Sequence, residues 1–234
     1  MARHLTTCSD DGDNLLQADD RGDLLYAFAA FDNIDTGRGN DLIYAGGDAD
    51  YVNAGEGNDR AFGGDSLYSN GGTPGFGDKH LFGGAGNDRL VFAWNDGGVA
   101  AGGSGRDELD LTAYAVGEAE GVAIALQGGK GSASFGTHHL EFTGIELLRV
   151  QTHTGDDTVT SGAGNDVLSV HLGANHVDAR GGDDHVADHS GNANVLEATS
   201  ELRWDAHGAG ISDGVTIAFL DGVHSLCMSD FLLH

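Results

Sequence analysis

The chain has 234 residues, 40 of them glycine and one proline, and its 37 acidic against 11 basic residues give a formal charge of −26. That excess would be repelled by a nucleic-acid backbone, and no apolar run is long enough to span a membrane as a helix, so neither partner is expected. The two cysteines, Cys8 and Cys227, lie near opposite ends of the chain and make no disulfide framework, and the start MARHLTTCSDD lacks the apolar centre of a secretory signal peptide.

From Ser9 onward the chain repeats one nine-residue cassette. With Thr36 as position 1, Asp41, Asp50 and Asp59 fall at position 6, and Ile43, Val52 and Ala61 at position 8. Run backwards, the frame puts Asp32 and Ile34, Asp23 and Leu25, and Asn14 and Leu16 in the same slots. It slips at GGDSLYSNGGT and resumes at PGFGDKHLF and GGAGNDRLV. After one extra residue comes GGSGRDELD, so about eleven units span residues 9–110.

Residues 111–151 leave the frame. GVAIALQGGKGSASFG and LEFTGIELLRV alternate as strands do and are joined by Gly-rich turns, which predicts a strand-rich connecting or capping segment. A second array of five gapless units fills residues 152–196: THTGDDTVT, SGAGNDVLS, VHLGANHVD, ARGGDDHVA and DHSGNANVL. Residues 197–234 contain GVTIAFLDG, a parallel to GVAIALQGG, and read as a strand-rich C-terminal cap. Such a unit after each array would cover a stack's open end, where unpaired strand edges invite aggregation.

A fixed short period marks a solenoid, because no single unit can bury its own apolar face. Glycines at positions 1, 2 and 4 allow a tight turn, and the last three residues make a short strand whose middle side chain points inward. Two units would form one flattened coil, with the strands stacked in parallel sheets. Alternate turns return to the same side, so the loop stacked on a given turn lies eighteen residues away, one strand spacing of about 4.8 Å along the stack. Asp23, Asp41 and Asp59 then form one column, and Asn14, Asp32 and Asp50 the other. Asp88 with Asp107, and Asp166 with Asp184, make further pairs, and Asp157 starts a column thinned by Asn175 and Ala193.

A column of carboxylates among glycine-rich turns that expose carbonyl oxygens suits a hard cation with six to eight oxygen ligands, that is, calcium. Ordinary turn chemistry explains any one unit but not sixteen in frame. Lys79 breaks the pattern: it stands at position 6 and is expected to oppose a cation there. With only two inward residues assured per coil and like charges stacked, apolar burial alone is not expected to hold the fold, and metal must supply the difference.

GGAGNDRLV and GGSGRDELD match every position of G-G-x-G-x-D-x-U-x, and SGAGNDVLS, AGEGNDRAF and TGRGNDLIY miss little beyond the first glycine. The sequence thus resembles the RTX (repeat-in-toxin, haemolysin-type) calcium-binding proteins over about 150 of its 234 residues. The resemblance implies an all-β, right-handed parallel β-roll with Ca²⁺ ions held between consecutive turns. It places the metal at Asp23, Asp32, Asp41, Asp50, Asp59, Asp88, Asp107, Asp157, Asp166 and Asp184. Their turn glycines are Gly37, Gly39, Gly55, Gly57, Gly84, Gly86, Gly103, Gly105, Gly162, Gly164 and Gly182. It also implies secretion through the type I machinery and folding outside the cell, where calcium is plentiful. The tail SDFLLH is similar to the C-terminal signals that machinery reads, apart from its terminal His.

Nothing in the sequence announces catalysis. H-E-x-x-H, G-x-S-x-G and the phosphate-binding G-x-x-x-x-G-K-[ST] are all missing, and nearly every Asp already has a place in the frame. The leading expectation is a non-catalytic calcium-binding module. The rival is a calcium-dependent binding module for a polysaccharide or surface glycan, as in adhesin segments or secreted polysaccharide-modifying enzymes, with Trp94, Tyr114 and Trp204 as a sugar platform. Ice binding is disfavoured because the position 3 residues Arg38, Glu56, Ala85 and Ser104 are mixed in size and charge. His153, His171 and His189, eighteen apart at position 2, would stack on one flank as a ladder suited to zinc, copper or nickel, or simply face solvent.

Overall fold

The computed structural model describes residues 6–8, 10–64, 78–92, 97–112, 121–188, 194–196, 199–204 and 215–221; residues 6–8, 112, 194–196, 199–204 and 215–221 are described as backbone. Among them there is no helix, and the strands fall into two sheets of eleven. The protein is an all-β parallel β-roll.

One sheet runs Thr6–Cys8, Leu24–Tyr26, Leu42–Tyr44, Arg60–Phe62, Arg89–Val91, Glu108–Thr112, Leu147–Gln151, Val167–Val170, His185–Asp188, Thr199–Trp204 and Val215–Asp221. The other starts with Leu15–Gln17, Asn33–Asp35, Tyr51–Glu56, Asp78–Ala85 and Gly97–Ser104. It continues with His138–Thr143, Lys130–Phe135, Val122–Gln127, Thr158–Thr160, His176–Asp178 and Asn194–Leu196. Successive units alternate between the sheets, so strands eighteen residues apart pair in parallel, as Leu25 with Ile43 and Ile34 with Val52. Across the sequence slip the spacing grows to 29, with Val52 against Leu81 and Ala61 against Leu90, yet the register of inward residues is kept.

Position 8 lines the core: Leu25, Ile34, Ile43, Val52, Leu81, Leu90, Leu109, Val159, Leu168, Val177 and Val186 are all buried. The structure adds a second core layer. Position 1 of the following unit lies two residues further along the same strand direction and points the same way. Accordingly Ala27, Thr36, Ala45, Ala54, Ser161, Val170 and Ala179 are buried too. Each coil therefore has four inward positions, not two, and the small residues at position 1 let the two sheets close around the larger ones. Two of the buried hydroxyls are satisfied by the next coil: Thr36 Oγ1 donates to the Ala54 carbonyl and Ser161 Oγ to that of Ala179, each at 2.7 Å.

The described strands within residues 121–151 pair with strands of both arrays. Val122–Gln127, Lys130–Phe135 and His138–Thr143 form an antiparallel meander; its last strand pairs in parallel with Gly97–Ser104 and its first with Thr158–Thr160. Because both outer strands of the meander run parallel to the roll, both have edges that extend the sheet, and neither end is closed. Leu147–Gln151 meanwhile joins Glu108–Thr112 to Val167–Val170 in the opposite sheet. Between the arrays the second sheet thus carries two strands more than the first, a difference of roughly 10 Å. Beyond the second array, Thr199–Trp204 pairs antiparallel with Val215–Asp221.

Glycine is required where the turns stack. At Gly55, with φ +97°, a Cβ would lie 2.0 Å from the Gly37 carbonyl oxygen, whereas at Gly128, with φ +58°, it would meet nothing. Gly55→Ala is therefore expected to lower stability in calcium by about 3 kcal/mol or more, and Gly128→Ala by only about 1 kcal/mol. Thermal unfolding of the two variants in saturating calcium checks the contrast.

Candidate metal centre

Positions 6, 8 and 1 of the next unit are successive alternate residues along one strand, so they share a face. The carboxylate at position 6 is consequently drawn inward at the strand's start, and Asp23, Asp32, Asp41, Asp50, Asp59, Asp88, Asp107, Asp157, Asp166 and Asp184 are all buried. One oxygen of each such group completes the strand ladder. In the first column the position 6 amides of Asp23, Asp41, Asp59 and Asp88 donate to Oδ1 of Asp41, Asp59, Asp88 and Asp107, at 2.7, 2.8, 2.8 and 2.9 Å. In the second, Asn14 donates to Asp32 at 2.9 Å and Asp32 to Asp50 at 3.0 Å. Asp166 donates to Asp184 at 2.8 Å, and Asp157 to the neutral Asn175 at 3.0 Å.

The other oxygen is the chemically active one. Oδ2 of Asp59, Asp88 and Asp107 is buried and meets no hydrogen-bond donor among the described residues. A buried anionic oxygen without a donor is costly, and a column of them calls for cations. No three His, Cys, Asp or Glu side chains gather at one point among the described residues. Backbone carbonyls of the turns stand beside these carboxylates as further oxygen donors, a set that suits calcium.

Lys79 shows that such a donor set holds a cation. Its Nζ donates to the position 2 carbonyl of Gly46 at 2.8 Å, to the position 4 carbonyl of Asp48, and to Asp50 Oδ2 at 2.6 Å. The Lys79 ammonium itself takes the cation's place, with the carbonyls of positions 2 and 4 and the carboxylate of position 6 converging around it, so it would oppose a metal ion there.

The glycines form the wall of this cradle. A Cβ at Gly84 or Gly103 would fall 2.0 Å from the carbonyl oxygen of Gly55 or Gly84, and at Gly57, Gly86 or Gly105 it would fall 1.4, 1.5 or 1.6 Å from that of Gly39, Gly57 or Gly86. Gly164 and Gly182 are equally tight, at 1.9 Å from Glu146 O and 2.0 Å from Gly164 O, whereas Gly162 meets the Leu126 side chain at 2.9 Å. Gly37 and Gly39, with φ of +80° and +130°, begin the stack.

Two sets of functional residues escaped the sequence reading. Position 5 carries a second ladder, directed opposite to the first: Oδ1 of Asn40, Asn58 and Asn87 accepts the amide of Asn58, Asn87 and Arg106 at 2.8, 2.7 and 2.9 Å. The recurring Asn-Asp pair was its visible signal. Glu146 takes position 6 in the connecting segment, where its Oε2 accepts the Asp107 amide at 2.9 Å. No period pointed to it, since the hairpins before it break the count. Beside it a cavity of about 380 Å³ is lined by Arg106, Leu126, Gly129, Glu146 and Gly164 among others.

The other candidates are placed as follows. His153 and His171 lie side by side with ring centroids 6.4 Å apart, and His189 lies outside the described residues. So do Trp94 and Tyr114, and Trp204 is described as backbone. Tyr26, Tyr44 and Phe62 are stacked with successive ring centroids 4.8 Å apart. The tail from Ser229 is outside the described residues, and no described helix is long and apolar enough to cross a membrane.

The family model of the RTX calcium-binding nonapeptide repeat matches four copies, over residues 26–61, 75–97 and 151–186. The chain carries RTX calcium-binding nonapeptide repeats. They bind Ca²⁺, and their number implies several ions. No curated protein matches the chain at a significant level. In these RTX turns the Oδ2 atoms would hold the metal together with turn carbonyls, and bound calcium would neutralise what the fold has buried.

Burial raises the carboxyl groups of Asp32, Asp41, Asp88 and Asp157 above their ordinary value, and those of Asp59 to about 7 and Asp107 to about 6, with the neighbouring carboxylates adding to the last two. A folded-state value above the unfolded one means that the metal-free roll takes up protons on folding. Its stability is greatest below the unfolded value and is lost as pH rises through about 6 to 7. In EDTA the chain should therefore gain β structure as pH falls from about 8 to about 5, while the calcium midpoint moves to higher concentration as protons compete. Circular dichroism at matched ionic strength checks both.

Proposed function

We propose that this calcium-binding β-roll works as a calcium-triggered folding module: exported unfolded through a type I secretion channel, it folds outside the cell and has no catalysis of its own. The observation that carries this reading is the column of buried, donorless Oδ2 atoms at Asp59, Asp88 and Asp107. Without metal each extends a line of stacked carboxylates one strand apart, and repulsion opposes closure. With metal each ion ties one turn to the next and orders the strand between them, so filling one site prepares its neighbour. Cytosolic calcium is too scarce for this, whereas extracellular calcium modules commonly work at Kd values of about 10⁻⁴ to 10⁻³ M. The same dependence would keep the chain extended during export.

The test is a calcium titration followed by circular dichroism. Coil should give way to β structure cooperatively over roughly 0.1 to 1 mM calcium, and magnesium should fail because it demands tighter octahedral geometry. Asp41→Asn keeps an acceptor for the Asp23 amide but removes the charge, and should raise the midpoint several-fold. Asp10→Asn, in an exposed turn outside position 6, should leave it unchanged. A chain fully folded in EDTA near neutral pH, with the same thermal midpoint as in calcium, would overturn the reading.

A further inference from the structure

Lys79 is one of two lysines in the chain and the largest side chain buried without any exposure. It stands at position 6 of the second column, 29 residues after Asp50 where the frame calls for eighteen, and its backbone pairs next with Gly98, which has no side chain to offer. The turn below it is complete. Gly46 and Asp48, with φ of +98° and +65°, aim their carbonyls at the same point as Asp50 Oδ2. The coil above thus lacks a carboxylate for an ion at this level, while the coil below presents a full half-site. Three acceptors meet an ammonium with three N–H donors, so the group is satisfied. The lysine stem is packed in place, with Cγ 3.3 Å from where a Cβ on Gly63 would be.

We infer that the Lys79 ammonium is a tethered substitute for one calcium ion, so that the coils on either side of the 29-residue spacing are bridged by a cation that the chain itself supplies. The inference rests on the calcium-roll reading. It predicts that this junction needs no calcium, and that the roll binds one ion fewer than its turns allow.

The experiment uses the full chain and calcium alone. Native mass spectrometry and isothermal titration of Lys79→Asp, which restores the repeat's own residue, should count one more Ca²⁺ than the wild type, with the folding midpoint moved to higher calcium. An unchanged count and midpoint would overturn the inference while leaving the roll intact; a wild type that binds no calcium would instead sink the functional reading beneath it. Should Lys79→Asp fail to fold, acetylation of the wild type decides. In saturating calcium Lys79 should react about tenfold or more slowly than the exposed Lys130, at every calcium concentration above saturation. A Lys79 rate that climbs towards that of Lys130 as calcium rises would mean that the ion displaces the ammonium, and the substitution would be refuted.

Discussion

Everything in this structure depends on the parity of the β-strand. Positions 6, 8 and 1 are two residues apart, and a pleated chain sends them to one face. Once the aliphatic residue at position 8 is committed to the core, the carboxylate two places before it must go inward as well. The repeat cannot have its core without burying its charges. One oxygen is settled by the amide of the adjoining coil; the other is left for a cation. On the proposed reading, calcium dependence would follow from where the pleat puts the aspartate, and the charge of −26 is its visible trace.

The paired ladders explain why neighbouring coils are coupled so tightly. The aspartate at position 6 accepts from the coil before it and the asparagine at position 5 from the coil after it, so each turn is held from both sides by side chains of adjacent residues. Both ladders are made of protein groups alone, but the aspartate ladder leaves its second oxygen exposed to the repulsion of the next. Asn175 illustrates the distinction: it makes the same bond to Asp157 at 3.0 Å without adding a charge. Position 6 therefore has two separable duties, ending the strand ladder and holding a cation, and asparagine performs only the first.

The period, the alternation between sides and the inward aliphatic column could be read from the sequence because each depends on one residue type recurring at one spacing. The second core layer was harder to see, since Ala27, Thr36, Ala45 and Ser161 share small size but not polarity, and small residues at position 1 look like substitutes for a turn glycine. For Lys79 the column shows only a residue that would oppose a metal ion; that its ammonium is taken up by the carbonyls of Gly46 and Asp48 could not be read from the period. The pairing of the strands within residues 121–151 with both arrays depends on which edges of the meander pair outward, and nothing in the alternation of GVAIALQGG and LEFTGIELL decides that.

The junction between the arrays follows from the same parity. Counted from Asp107 through the pairing of Leu109 with Leu148, position 6 of the connecting coil is Glu146. Counted back from Asp166 through the pairing of Val150 with Leu168, it is residue 148. The strand Leu147–Gln151 serves both: the Asp107 amide reaches Glu146, and the Leu148 amide reaches Asp166 Oδ1 at 2.7 Å. The frames differ by two residues, the strand's own repeat, so Leu148 and Val150 both stay buried; a shift of one would have turned the core to solvent. The carboxylate columns do not share this immunity, because two residues displace the second column along the strand by roughly 6.6 Å. In the opposite column Lys79 is followed through the paired strands by Gly98, Leu140, Ala133 and Ile124, and Asp157 is met by Val122, two residues off that line, with no carboxylate at all. The backbone ladder therefore runs unbroken from one array to the other while both lines of buried charge are interrupted at the same level, and on the proposed reading any cooperativity carried by metal would be confined within each array.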